Sequence, residues 1–246
     1  MRALVISDLH SNSEALRSAL SRVRRKKYDT TICLGDFVGY GAQPNQVLDI
    51  VRRLKGPKHY IRGNHDRVAA GFEDGSGFNH AARYAALWTR ERLSAPNRNF
   101  LHDLPVGPVS HEEVVLCHGS PADEDEYIFT EYHAARVLAR YDAPWILYGH
   151  THLPVVFSVD PEGRVSGMAV RGEALLRLDR RNRYLINPGS VGQPRDRNPL
   201  SSFAIVDTDK YTVQFFRVEY DIAATQESII RAGLPRIHAD RLSIGT

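Results

Sequence analysis

Five short apolar runs, each followed within a few residues by potential metal ligands, lie in the first two thirds of the sequence. Runs such as residues 3–6 and 30–34 are typical of strands buried on both faces of a parallel sheet. Ligands in open α/β sheets bind outside the carboxyl ends of the strands. The pattern therefore predicts that five strands carry polar side chains to one edge of the molecule. These side chains are Asp8, His10, Asp36, Asn64, His118, His150 and His152.

Amphipathic helical patterns separate the first three runs. One predicted helix is capped by Asn12 or Ser13 and extends to Val23. A second covers residues 44–54 and begins with Pro44, which suits the first turn of a helix. This β-α-β-α-β alternation predicts a mostly parallel sheet with helices on its faces.

The rest of the chain mixes helices with short strands. Residues 67–102 are predicted to be helical and loop-like, with the best helix over residues 81–93, and further helices are predicted over 131–141 and 222–232. Further strands are predicted over 58–61, 106–109, 114–117, 145–148, 155–159, 174–178, 184–186, 203–206 and 213–218. We expect an α/β fold of two sheets packed face to face, forming one domain over residues 1–246 with an inserted helical and loop segment near 67–102.

The composition is that of an ordinary soluble protein, with 42% apolar and 25% charged residues. No stretch approaches the ~18 apolar residues of a membrane span, and the first residues lack the pattern of a signal peptide. Cys33 and Cys117 are too few for a disulfide scaffold and are expected in buried strands. We therefore expect a cytoplasmic protein without a membrane partner.

The charge pattern argues against a nucleic-acid partner. A net charge of +3, from 32 basic and 29 acidic residues, is too small an excess to indicate one. Residues 22–27 form a basic cluster, but no aromatic residues are interleaved with it as in single-strand binders. A nuclease would need this cluster to line the ligand site.

The ligand set indicates a reaction class. Two carboxylates, one amide oxygen and four imidazoles suit two divalent transition metals, with Mn, Fe, Zn, Ni and Co all compatible. His150 and His152 share one face of an extended segment, so both can reach one site. Two metals ~3.5–4 Å apart are the usual means of hydrolysing phosphate esters. Each motif alone is weak, but five at predicted strand ends form a specific pattern.

With these motifs, the chain resembles the calcineurin-like metallophosphoesterase superfamily. The run over residues 187–196 is similar to that of its small prokaryotic phosphodiesterase and diadenosine-tetraphosphatase-like branch. The resemblance implies a four-layer α-β-β-α sandwich of two mixed sheets flanked by helices. It also implies a first metal site of Asp8, His10, Asp36 and His152, and a second of Asp36, Asn64, His118 and His150.

The resemblance also implies a mechanism, in which a hydroxide that bridges two metals attacks phosphorus. His65 is left over from the ligand set and is expected to protonate the leaving group as general acid. Asp66 is expected to orient His65. The alternatives for Asp66 are a helix N-terminal cap and a surface ion pair.

Two residues are candidates for substrate binding. Tyr40 follows Asp36 in a glycine-rich loop, where it would stack on a base or cover the pocket, or simply be a half-buried aromatic. Arg195 lies in the 187–196 run, where it would bind a substrate phosphate. The alternative for Arg195 is a structural ion pair with Asp66 or Asp196.

The leading hypothesis is a phosphodiesterase whose substrate is a small phosphate ester such as a nucleotide. One alternative is a protein phosphatase or phosphomonoesterase of the same superfamily, against which the lack of long insertions argues. Another is a non-catalytic interaction module on the same fold. The complete ligand set and His65 argue against that module.

Overall fold

The computed structural model describes residues 1–246 and contains twelve strands. They are β1 (Arg2–Ile6), β2 (Thr30–Cys33), β3 (Lys58–Tyr60), β4 (Val109–His111), β5 (Val114–Leu116), β6 (Trp145–Leu147), β7 (Val155–Val159), β8 (Val165–Ala169), β9 (Ala174–Arg177), β10 (Arg183–Asn187), β11 (Ser201–Asp207) and β12 (Thr212–Val218). The first sheet has the order β3-β2-β1-β11-β12-β9, and the second has the order β4-β5-β6-β10-β7-β8.

Eight helices flank the sheets. They are α1 (Ser13–Val23), α2 (Pro44–Arg52), α3 (Asn64–Ala70), α4 (His80–Arg92), α5 (Ala95–His102), α6 (Glu131–Arg140), α7 (Ile222–Arg231) and α8 (Ile237–Asp240), with a 3₁₀ turn at Arg241–Ser243. Helices α1 and α2 cover the first sheet and α6 covers the second. No helix has the length and apolar character needed to span a bilayer. The predicted α/β class and four-layer arrangement are confirmed.

Both sheets contain parallel and antiparallel strands, and the ligand motifs follow the parallel ones. In the first sheet β1, β2 and β3 are parallel to one another. In the second sheet β5, β6 and β10 are parallel. The remaining neighbours pair antiparallel. Because parallel strands end at the same edge of a sheet, each sheet presents one edge to which several loops converge.

Strand β1 shows how one strand contributes to two apolar layers. Leu4 and Ile6 pack with the apolar faces of α1 and α2, whereas Ala3 and Val5 lie between the two sheets. Successive side chains of a strand point to opposite faces, so a continuous apolar run is needed when both faces are covered. The layer between the sheets therefore uses the same strands that end in candidate ligands.

Four elements differ from the sequence-based expectation, and one of them is the short helix α8, for which no helix was predicted. The strand expected over 106–109 is instead Val109–His111, paired with β5. Strand β8 was not predicted, because its residues are mostly exposed and carry no apolar alternation. Helix α3 begins at Asn64, earlier than the helical segment predicted from residue 67.

The basic cluster at residues 22–27 lies away from the ligand edge. Helix α1 connects the carboxyl end of β1 to the start of the parallel strand β2, so its own end lies at the opposite edge of the sheet. Arg22 in this cluster pairs with Glu173 at 3.2 Å, and both side chains are exposed. The cluster therefore does not line the ligand site, although a nuclease would need it to do so.

Candidate metal centre

The seven candidate ligands meet at one edge of the sandwich. Each follows the carboxyl end of one of the parallel strands β1, β2, β3, β5 and β6. All seven side chains are buried. A set of buried polar groups is unusual unless hydrogen bonds or metal ions compensate for lost hydration.

A first group brings together Asp8, His10, Asp36 and His152. The His152 Nε2 atom lies 3.4 Å from Asp8 Oδ1, and the His10 Nε2 atom lies 3.6 Å from Asp36 Oδ2. The second carboxylate oxygen of Asp8 is buried and has no hydrogen-bond partner. This oxygen is available to a cation.

A second group consists of Asp36, His118 and His150, and it shares Asp36 with the first. The His118 Nε2 atom lies 3.4 Å from Asp36 Oδ2 and 3.1 Å from Asn64 Oδ1. Asn64 thus joins this group. Asp36 Oδ2 is close to an imidazole of each group, which is the position of a bridging ligand.

Backbone carbonyls determine which imidazole nitrogen faces the centre. The Nδ1 atoms of His10, His118 and His152 lie 3.0, 2.7 and 2.5 Å from the carbonyl oxygens of Val38, Leu34 and Gln193. Because a carbonyl only accepts, each Nδ1 carries the hydrogen when the ring is neutral. Nε2 is then left with a lone pair. Histidines that bind metals are oriented by such hydrogen bonds.

Two pairs of acceptor atoms therefore face each other. The Nε2 atoms of His10 and His152 are 3.0 Å apart. The Nε2 atom of His118 faces Asn64 Oδ1 at 3.1 Å. Neutral His10 and His152 rings with this hydrogen-bonding place no hydrogen between their Nε2 atoms, and a shared cation would resolve that contact. A cation between His118 and Asn64 would take the place of a proton on His118 Nε2. The donor set fits two divalent metals.

The charges of the centre lead to the same conclusion. Burial, with the neighbouring Asp36 charge, raises the pKa of Asp8 to about 7. Although burial acts in the opposite direction, the Asp36 carboxylate raises the pKa of His118 to about 10. In both cases the buried carboxylates favour added positive charge. Divalent cations would supply that charge and leave the imidazoles neutral.

The local backbone is strained where it presents the ligands. Five of the seven candidates have left-handed φ angles, and these are Asp8 (54°), His10 (45°), Asp36 (53°), His150 (65°) and His152 (61°). Such angles cost about 1–3 kcal/mol each for residues other than glycine and cluster at functional sites. Gly63 lies against Asp36 so closely that a Cβ atom there would collide with its carboxylate. A glycine is therefore required at that approach.

The 187–196 run supports the ligand loops from the end of β10. Ser190 Oγ donates to the Asp8 carbonyl at 2.8 Å, and the Gly192 amide donates to the same oxygen at 2.9 Å. Asn187 Nδ2 donates to the Gly149 carbonyl at 2.6 Å, while the Gln193 carbonyl holds the ring of His152. The run thus positions ligands of both sheets.

His65 lies beside the first group. Its ring is 5.0 Å from that of His10, centroid to centroid, and it is buried. Burial is the main cause that lowers the pKa of His65 to about 4, against the opposing effect of the Asp36 charge. Its Nδ1 atom has no hydrogen-bond partner. His65 is therefore close to the ligands without belonging to either group.

Asp66 does not contact the imidazole that it was expected to orient. Its carboxylate accepts from the amides of Gly63 and Val38 at 3.0 and 3.2 Å. These contacts cap the first turn of α3 and tie it to the loop after Asp36. Asp66 forms no hydrogen bond with His65, and its contacts are those of the alternative role, a helix N-terminal cap.

Arg195 pairs with neither of the carboxylates proposed for it. Its Nη2 atom donates to Tyr40 Oη and to Gln193 Oε1, each at 3.2 Å. Asp196 instead forms an ion pair with Arg217. Tyr40 is 9% exposed and lines the cavity above the ligands. Tyr40 is more deeply buried than expected for a loop aromatic.

A cavity of about 610 Å³ opens above the ligands. The prediction included Asp36, Tyr40, Asn64, His65, His150, His152 and Arg195 among its lining residues, but missed Arg67, Glu73, Phe78, Asn79, Asp125 and Tyr127. Arg67 closely follows the Asn64 motif, and its position there was a usable signal. The others come from loops whose course depends on packing, and no local pattern marks them.

Comparisons with known proteins agree with this geometry. Residues 1–211 match the calcineurin-like phosphoesterase superfamily domain. The uncharacterized protein MJ0912 of Methanocaldococcus jannaschii is 37% identical over 246 residues, which cover 98% of this chain and 97% of that protein.

Two solved structures are also similar. A metallophosphoesterase from Sphaerobacter thermophilus has 37% identity and a TM-score of 0.87, with 100% of this chain and 99% of that chain covered. The hypothetical protein PH1004 from Pyrococcus horikoshii OT3 shares the fold at 21% identity and a TM-score of 0.81, with 100% and 98% covered. The domain match, the relatives at 37% identity and the two ligand groups show that this chain belongs to the calcineurin-like phosphoesterase superfamily.

Proposed function

We propose that the protein is a phosphodiesterase that uses two divalent cations to hydrolyse phosphodiesters or small nucleotides. The facing acceptor atoms His10 Nε2 and His152 Nε2 carry this proposal, and His118 Nε2 lies beside Asn64 Oδ1 in the second group. Both pairs lie around Asp36, whose Oδ2 atom approaches His10 and His118. Membership of the superfamily implies a phosphoric ester hydrolase.

Each ligand group would hold one cation. The first cation would be held by Asp8, His10, Asp36 and His152, and the second by Asp36, Asn64, His118 and His150. Two such cations would neutralise the charge that develops on the phosphoryl group and would lower the pKa of a bound water. The mixed nitrogen and oxygen donors suit Mn, Fe, Zn, Ni or Co.

His65 would donate a proton to the leaving-group oxygen. Its low pKa makes it neutral at pH 7 in the metal-free protein. A phosphate anion beside the ring favours the charged form, since an opposite charge within a few ångströms stabilises it. The proton would then pass from the imidazolium to the oxygen as its bond to phosphorus breaks.

Arg195 would bind a non-bridging phosphate oxygen. It lines the cavity, has no carboxylate partner and is held by Tyr40 and Gln193 through one nitrogen. Its remaining N–H groups can donate to a phosphate in the paired geometry that guanidinium favours. Tyr40 would then act chiefly by supporting this arginine.

The walls of the cavity support a diester substrate. Phe78 and Asn79 line it from the segment before α4, and Asp125 and Tyr127 line it from the loop after β5. A diester carries a substituent on each side of phosphorus, and the cavity has walls for both. A monoester would use only one of them.

Hydrolysis of bis-p-nitrophenyl phosphate against p-nitrophenyl phosphate, with added Mn²⁺, tests the proposal. We expect faster turnover of the diester and its loss in Asp36→Asn. Monoester preference would favour a phosphatase instead. No hydrolysis of either ester with Mn, Fe, Zn, Ni or Co would overturn the enzyme assignment and support an interaction module.

The role of His65 has its own test. General acids typically contribute about 10²–10⁴-fold when the leaving group needs a proton. His65→Gln should therefore lower turnover of diphenyl phosphate by about a hundredfold, and that of bis-p-nitrophenyl phosphate much less, because nitrophenolate leaves without a proton. Equal losses on both esters would exclude His65 as the acid.

A further inference from the structure

A buried imidazole of the C-terminal segment, His238, lies beside a residue of the candidate site. Residues 212–246 follow the part of the chain that matches the superfamily domain. Helices α7 and α8 pack with α4 in an apolar cluster that includes Ala85, Ile229 and Leu242. His238 on α8 is 2% exposed, and its ring lies 4.9 Å from that of Tyr40, centroid to centroid.

Packing, rather than hydrogen bonding, holds the ring of His65. Its centroid lies 4.3 Å from that of Tyr40 and 4.6 Å from that of Phe78. The buried Nδ1 atom has no hydrogen-bond partner, and Asp66 bonds to backbone amides instead. The direction in which His65 presents its proton therefore depends on the rings beside it.

The ring of Tyr40 lies between those of His65 and His238. Its ring contacts His65 on one side and His238 on another, and its hydroxyl accepts from Arg195. The preceding Gly39 has a φ of 92° and lies so close to the imidazole of His65 that a Cβ atom there would collide with it. The loop and the Tyr40 ring thus enclose His65, and His238 packs against another side of Tyr40.

His238 is itself anchored. Its Nε2 atom lies 3.0 Å from the Ala81 carbonyl oxygen in the first turn of α4, to which it can only donate. The neighbouring Ala239 and Leu242 belong to the apolar cluster between α4, α7 and α8. The ring therefore has a fixed place from which to support Tyr40.

We propose that His238 is a positioning residue for His65 and acts through Tyr40. The inference rests on the proposed function, in which His65 protonates the leaving group. Loss of the His238 ring opens space beside Tyr40, so that Tyr40 and then His65 adopt several orientations. Misplacement of a reacting group by about 1 Å costs up to about a hundredfold in rate. The Tyr40 ring also lies 4.5 Å from that of His10, centroid to centroid, but the hydrogen bond from His10 Nδ1 to the Val38 carbonyl holds that ligand independently of Tyr40.

Two substitutions separate support by the ring from anchoring of the helix. His238→Phe keeps an aromatic ring against Tyr40 but loses the hydrogen bond to Ala81. His238→Asn keeps an amide donor for Ala81 but loses the ring. Ile237→Ala is the matched control, because Ile237 lies on the same helix and is 60% exposed. Thermal unfolding of each variant shows whether a loss of activity results from a loss of stability.

The kinetic measurement compares diphenyl phosphate with bis-p-nitrophenyl phosphate, both with Mn²⁺. We expect His238→Asn to lower kcat on diphenyl phosphate by about tenfold, within the range for a misplaced group, and on the nitrophenyl ester by less than about twofold. His238→Phe and Ile237→Ala should retain the wild-type ratio between the two esters. Equal losses on both esters in His238→Asn, or the same loss in His238→Phe, would overturn the proposal.

A second measurement needs neither metal nor substrate. The carbon-bound ring protons of His65, assigned in an NMR spectrum by their absence in His65→Gln, should shift or broaden in His238→Asn and stay unchanged in His238→Phe. Superimposable His65 signals in wild type and His238→Asn would overturn the positioning role. Failure of the proposed function appears differently, as equal turnover losses on both esters in His65→Gln, while the ring signals still report on positioning.

Discussion

The candidate metal centre and the apolar layer between the two sheets are built from the same strands but differ in what they contribute. The layer contains fully buried apolar side chains such as Val5, Ile32 and Leu147 in extended strands. A few residues further along each strand, the centre contains buried polar side chains in left-handed backbone conformations. The apolar layer stabilises the folded state, whereas the polar groups and strained backbone of the candidate centre destabilise it.

The physical contrast is large. Burial of a side chain of the size of leucine stabilises the folded state by about 1.5–3 kcal/mol. Left-handed φ angles and unpaired buried carboxylates each act in the opposite direction. We therefore expect substitutions in the strands to affect mainly stability, and substitutions in the ligand loops to affect mainly activity.

The largest effect is expected for Asp8→Asn. Loss of one carboxylate ligand should lower kcat/KM with Mn²⁺ by about a thousandfold, which equals about 4 kcal/mol of transition-state stabilisation. In the metal-free protein the variant should unfold at the same or higher denaturant concentration, because a buried carboxylate beside Asp36 is removed and the acceptor for the His150 amide is kept. A clear decrease in stability would show that the centre supports the fold.

A change in the apolar layer should have the opposite profile. Leu147→Ala removes a fully buried side chain of β6 and should lower the free energy of unfolding by about 3 kcal/mol. Below the unfolding transition, kcat/KM should change by less than about threefold, since the ligands follow the end of the strand. Leu175→Ala on the exposed edge strand β9 is the matched control and should leave stability within about 0.5 kcal/mol. Activity lost in parallel with stability would contradict the separation.

Metal removal tests the two regions together. Mn²⁺ at about a hundred times its dissociation constant should raise the free energy of unfolding by about 2.7 kcal/mol, because it binds the folded state alone. Chelation should reverse this shift in wild type. In Asp8→Asn the shift should be much smaller, whereas Leu147→Ala should show it in full. Equal shifts in all three proteins would place the metal outside the candidate centre.

The smallest effect is expected at the rim of the cavity. Arg67 forms ion pairs with Glu73, at 3.0 Å, with Asp125, at 2.7 Å, and with Glu124, and so joins the segment before α4 to the loop after β5. Glu124 keeps its ion pair with Arg62 when Arg67 is replaced. Partly exposed pairs contribute about 0.2–1 kcal/mol each, so Arg67→Met should raise KM for bis-p-nitrophenyl phosphate about threefold with little change in kcat. Arg83→Met removes an exposed pair with Asp74 and should leave KM unchanged. A large fall in kcat in Arg67→Met would assign Arg67 a role beyond the rim.

Local pattern was sufficient for the ligand groups and for most of the fold. Apolar runs mark buried strands because both faces are covered, and the polar residue after each run reaches the edge at which parallel strands end. For that reason Asp8, Asp36 and His118 are identifiable from the amino-acid sequence alone. Strand β8 was not predicted because an exposed strand lacks the apolar run of a strand covered on both faces.

The tertiary structure alone decided the surroundings of the ligands. The contact of Arg195 with Tyr40, the cavity walls at Phe78 and Tyr127, and the position of the His238 ring beside Tyr40 all depend on segments distant in sequence. No local pattern encodes such contacts, because each depends on how helices and loops pack after the sheets have formed. The sequence by itself therefore determined the reaction class through the chemistry of its side chains. Packing decided which rings lie beside His65 and which residues line the cavity, because those residues come from separate loops and helices.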